Sequence, residues 1–75
     1  MNDIASYLRH EFARRFPALA INITFNDDET IDVVMHSRKL KYAPPLTYTC
    51  ECSSDDDDFE FRCVNEPTIN LPIPR

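Results

Sequence analysis

LTYTCECSSDDDDFEFRCV, residues 46–64, reads as two alternating apolar runs joined by six polar residues, four of them consecutive aspartates. The alternation puts Leu46, Tyr48, Cys50 and Cys52 on one face and Thr47, Thr49 and Glu51 on the other. Phe59, Phe61 and Cys63 continue the apolar face after the turn, so the stretch is expected to be a β-hairpin with a dense negative charge at its tip.

Outward from this hairpin the same grammar repeats. Leu19, Ile21, Ile23 and Phe25 alternate with Ala20, Asn22 and Thr24, and after the turn residues NDDET (26–30), Ile31, Val33 and Met35 alternate with Asp32, Val34 and His36. Between the hairpins, SRKLKYAPP (37–45) is a basic loop with Leu40 and Tyr42 as anchors and a Pro-Pro pair that cannot join a central strand. At the N-terminus Asp3 can cap a helix whose apolar residues Ile4, Leu8, Phe12 and Phe16 recur every four positions, with Ala5 beside them. Pro17 ends it, and His10, Ala13 and Arg14 fall on the outer side.

The last stretch, NEPTINLPIPR, carries Pro67, Pro72 and Pro74 and is expected to be extended rather than regular, with Ile69, Leu71 and Ile73 lying on something apolar. The expected fold is α+β: one N-terminal helix packed on a four-stranded antiparallel meander sheet, with an extended Pro-rich C-terminal tail. Residues 1–66 form the single domain and 67–75 the tail.

Seventy-five residues make one domain, and a chain this short buries only about 60% of its unfolded surface. So small a core leaves little room for an enclosed catalytic cavity and favours work at an exposed surface. Thirteen acidic against eight basic residues give a net charge of −5, which disfavours direct nucleic-acid or membrane binding and favours a basic protein partner. The N-terminus lacks a basic region followed by an apolar segment, and no run approaches a membrane span, so the expected location is cytoplasmic.

Cys50, Cys52 and Cys63 are an odd set confined to one hairpin, unlike a secreted disulfide framework, and are expected as reduced thiols. If Cys52 opposes Phe59, Phe61 faces Cys50 and Tyr48 faces Cys63; a shifted register would instead pair Cys50 with Cys63 and permit a disulfide. With no glycine in the chain, turns needing positive φ have Asn26, Asn65 and the aspartates to use.

A meander sends the first and third turns to one end of the sheet. That end collects Asp27, Asp28 and Glu29 with Asp55, Asp56, Asp57 and Asp58, while Arg38, Lys39 and Lys41 gather at the other end with Arg14 and Arg15. The acidic turns are explained either by aspartate's ability to form soluble turns or by a surface that presents carboxylates to a basic groove, as a nucleic-acid backbone presents phosphates. Packing four like charges together with no Lys or Arg among them favours the second.

Other chemistry fares worse. Cys50, Cys52, Cys63 and His36 are zinc-ligand types, but C-x-C on a strand lacks the usual C-x2-C turn. His36 falls on the sheet face opposite the cysteines and His10 on the outer helix face, so no thiol has a nearby base. Neither acidic turn has the D-x-D-x-D-G spacing of a calcium loop, and a glycine-rich phosphate loop is ruled out by composition. The expectation is a non-enzymatic protein without cofactor or metal.

In kind, a short, acidic, glycine-free helix-plus-sheet chain with clustered carboxylates resembles the small inhibitors, anti-CRISPR proteins among them, that phages and mobile elements use against host nucleic-acid machinery. The resemblance implies an acidic inhibitor acting by carboxylate contacts within a host cell. An unpaired outer strand and a prolyl tail with alternating apolar residues leave both a monomer and a homodimer open. The alternative is a general interaction or assembly subunit working through its sheet face or tail.

Overall fold

A computed structural model describes residues 3–51 and 57–74. The elements run α1 (Asp3–Arg15), β1 (Leu19–Phe25), β2 (Thr30–Ser37), β3 (Leu46–Glu51), β4 (Asp58–Cys63) and β5 (Glu66–Pro72). All strand pairs are antiparallel and the sheet order is β1-β2-β3-β4-β5, an α+β meander with the helix on one face.

The sheet has five strands rather than the expected four, because the residues expected as a tail form β5. The reason lies in where the prolines fall. Phe61 pairs with Ile69 and Cys63 with Glu66, so one residue of β4, Arg62, opposes two of β5, Pro67 and Thr68. Pro67 thus sits in a bulge, where a missing N–H costs no ladder bond. Ile73 N donates to Asp57 O at 3.1 Å, which makes 57 and 73 a hydrogen-bonded pair and turns the backbone of Pro72 toward the open edge. An edge strand accommodates a proline oriented that way.

The core forms as the alternation requires. Leu8 and Phe12 from α1 are buried against Ile31, Val33 and Met35 of β2, Tyr48 and Cys50 of β3, Phe59 and Phe61 of β4, and Leu71 of β5. Phe12 is its hub, with ring centroids 5.1 Å from Phe61 edge-on, 5.8 Å from Tyr48 and 6.3 Å from Phe16. Such geometries add about 0.5–1.5 kcal/mol per pair beyond the area they bury. Cys50 faces Phe61 across β3 and β4, so the register is the one that sets Cys50 and Cys63 apart. Cys52 lies outside the described residues.

Without glycine, two turns use other residues at positive φ: Asn65, at 69°, and Glu29, at 64°. Asn65 serves the two-residue turn between β4 and β5; Glu29 closes the three residues 27–29 enclosed by the Asn26–Thr30 pair, a position that glycine usually occupies. Leu40 and Tyr42, expected as anchors, are instead exposed, Tyr42 fully. Their loop folds on itself: Ser37 Oγ accepts from the amides of Lys39 and Leu40 at 3.3 and 2.9 Å, and Ala43 N donates to Leu40 O at 3.2 Å. These side chains therefore project away from the core.

Candidate functional site

The meander sends the β1–β2 and β3–β4 connections to one end of the sheet and the β2–β3 connection to the other. Asp27, Asp28 and Glu29 are exposed in the first turn, and Asp57 and Asp58 are exposed where β4 begins. Two strand spacings separate the turns, about 10 Å, close to the screening length at physiological salt. Asp55 and Asp56 lie outside the described residues. The opposite end carries Arg38, Lys39 and Lys41. Arg14 and Arg15, in the last turn of α1, both reach back to Glu11 Oε1, at 2.9 and 2.8 Å. Those bonds hold the Glu11 carboxyl below its ordinary pKa.

Part of the first acidic turn serves the fold. Thr30 Oγ1 donates to Asp28 Oδ1 at 2.6 Å, and Asn26 Nδ2 lies within bonding distance of Thr30 Oγ1 and Asp32 Oδ2. Asp32 Oδ1 in turn accepts from Thr49 Oγ1 at 3.0 Å. This outer-face chain links the turn to β2 and β3.

The second acidic region opens onto the outer face of β3, β4 and β5. Thr49, Glu51, Asp57, Asp58, Glu60, Arg62 and Asn70 line a shallow concavity of about 600 Å³. Its origin is simple: inner positions 59 and 61 fill the core, so 58, 60 and 62 must point outward, flanked by 49 and 51 on β3 and 70 on β5. Among the described residues, four carboxylates face one guanidinium, and that guanidinium is paired with Glu60. Asp27, Asp28 and Glu29 do not line this groove. Sequence reasoning assigned Glu51 to the outer face but joined neither it nor Glu60 to the acidic end; the signal was their alternation with Cys50, Phe59 and Phe61.

Among the described residues, no three His, Cys, Asp or Glu side chains are grouped as metal ligands, and no helix is long and apolar enough to cross a membrane. His10 and His36 are both exposed, each on the face away from Cys50. Compared with models of known families, with curated proteins and with solved structures, the chain shows no match.

Proposed function

We propose that the protein is a small acidic binding protein that docks its carboxylate-rich end and groove against a basic surface. The observation that carries this is the concavity on the outer face of β3–β5, where Glu51, Asp57, Asp58 and Glu60 meet a single paired Arg62. Neighbouring strands are about 4.8 Å apart and alternate residues on one strand about 6.8 Å. The carboxylates thus form a spaced grid with a deficit of cations. Its natural complement is a row of Lys and Arg side chains, and grooves that hold nucleic-acid backbones carry such rows. The finer proposal is an inhibitor, inside a host cell, that occupies such a groove in place of nucleic acid.

The test is capture of partners from the native host's lysate, followed by titration of the purified partner. Substituting Asp27, Asp28, Asp55, Asp56, Asp57 and Asp58 with Asn keeps shape and removes charge. Affinity is expected to fall at least tenfold, about 1.4 kcal/mol, and the wild-type complex to weaken steeply between about 50 and 300 mM salt. Duplex DNA or RNA should displace the protein from its partner. Binding unchanged by the six substitutions sinks the proposal.

A further inference from the structure

The two edges of the sheet differ. On the β5 edge, Pro72 has no amide hydrogen, its carbonyl accepts from the Tyr7 hydroxyl at 2.7 Å, and a bulge interrupts the ladder beside Pro67. These are the devices by which an edge is kept from pairing with another strand. The β1 edge has few of them. Its seven residues, LAINITF, include no proline and no charge, and its register with β2 is unbroken from Leu19↔Ser37 to Phe25↔Ile31.

Which backbone groups of β1 face outward follows from one bond. Asn26 N donates to Thr30 O at 2.9 Å, so 26 and 30 form a hydrogen-bonded pair. By alternation 24, 22 and 20 bond to β2, while 25, 23, 21 and 19 turn their N–H and C=O to the open side. Two of those groups are occupied: Leu19 N donates to Phe16 O at 3.1 Å, and Ile21 O accepts from Arg9 Nη1 at 3.1 Å. Ile21 N and both groups of Ile23 and Phe25 face no strand among the described residues. Beside them Phe25, on the inner face, is 44% exposed.

We infer that β1 is a dimerisation edge, pairing antiparallel with β1 of a second copy about a twofold axis through Ile23. In this register Ile23 faces Ile23 of the second copy and Ile21 faces Phe25, giving about six backbone hydrogen bonds. The carbonyl of Ile21 has a second lone pair, so Arg9 keeps its bond. All inward residues meet inward residues, so each exposed Phe25 gains a cover of Ile21 from the other chain. Charge agrees. Antiparallel pairing lays Asp27, Asp28 and Glu29 of one copy beside the corner of the other that holds Arg14 and Arg15, aligning opposite ends of the two dipoles. The groove on β3–β5 lies at the far side of each sheet and stays open.

Sedimentation equilibrium from about 1 to 500 μM, which brackets micromolar dissociation constants, should show a reversible dimer. On the outer face this register sets Asn22 opposite Thr24 of the second copy; both are exposed, and Thr24 already pairs with Asp32 within the chain. Thr24→Lys with Asn22→Lys places like charges across the interface twice and should weaken the dimer at least about tenfold. Thr24→Lys with Asn22→Glu places opposite charges there and should hold the wild-type affinity or improve it. Hydrogen exchange at the amides of Ile21, Ile23 and Phe25 should slow as wild-type concentration rises. A wild-type protein that stays monomeric throughout, equal association by the two folded variants, or concentration-independent exchange at these amides would overturn the assignment.

Discussion

The Tyr7 hydroxyl donates to the carbonyl of Pro72 at 2.7 Å, fastening the first half of α1 to the edge strand β5. Two residues further along, on the opposite flank, Arg9 reaches the Ile21 carbonyl on β1, so the helix is tied to both edges of the sheet it covers. Tyr7→Phe removes the first tie without changing the packed ring. A stability loss of about 0.5–1 kcal/mol is expected, at the low end because the bond is exposed. For a domain of this size that lowers the melting temperature by roughly 2–8 °C. An unchanged melting curve would mean the bond contributes nothing in solution.

The same phenol gives a pH dependence. Burial, with the nearby Glu11 carboxylate, raises the pKa of Tyr7 above its ordinary value of 10.0. Burial first, then Cys63 and Glu66, does the same to Tyr48 in the core. A group whose folded pKa is raised keeps its proton in the folded state after the unfolded chain has released it. Its contribution is therefore complete below about pH 10 and is lost as the pH climbs through the higher folded value. Melting temperature should decline across this alkaline range, and Tyr7→Phe with Tyr48→Phe should flatten the decline relative to wild type. Identical slopes would assign it to the other groups that titrate there.

Leu71 lies in the segment whose three prolines suggested a tail, yet it is 1% exposed in the core. Leu71→Ala is expected to cost about 2–5 kcal/mol, measured by urea unfolding, whereas a tail residue would cost almost nothing. The alternation of Ile69, Leu71 and Ile73 carried the strand signal in the sequence, and proline count overrode it. What the sequence could not show is that Pro67 falls in a bulge and Pro72 faces the open edge, since both depend on pairing with β4. Helix α1 and the inner faces of β1 to β4 were legible because each is a single unbroken period with turn residues at its ends. Leu40 and Tyr42 misled for the opposite reason: apolar residues in a loop carry no periodicity, and their exposure follows from Ser37 and Ala43 folding the loop on itself.

Glu29 holds φ at 64° with a side chain that gains nothing from being there among the described hydrogen bonds. The left-handed region costs a non-glycine residue about 1 kcal/mol, and asparagine tolerates it best among residues with a side chain. Glu29→Asn should raise stability by about 0.5 kcal/mol without the unfolded-state entropy that glycine would add. Loss of stability would show that the Glu29 carboxylate is engaged within the turn.

The acidic end was legible from the meander and the two aspartate-rich turns, but its extension onto the sheet face needed the β4–β5 pairing that supplies Asn70 and completes the groove. The two halves should therefore not contribute equally to partner binding. Asp28 is held by Thr30, and Asp27 and Glu29 stand on an open turn where solvent screens them fully. Glu51, Asp57, Asp58 and Glu60 share a concave surface, where low-dielectric walls focus the field and a docked cation loses competing water. Neutralising Glu51 and Glu60 to Gln with Asp57 and Asp58 to Asn should slow association and weaken partner binding by at least about tenfold, or 1.4 kcal/mol. Neutralising Asp27 and Asp28 to Asn with Glu29 to Gln should cost about threefold or less, near the 0–1 kcal/mol of an exposed ion pair. Association rates of both folded variants, measured at two salt concentrations, decide the matter: an equal or reversed ranking moves the contact from the groove to the β1–β2 turn.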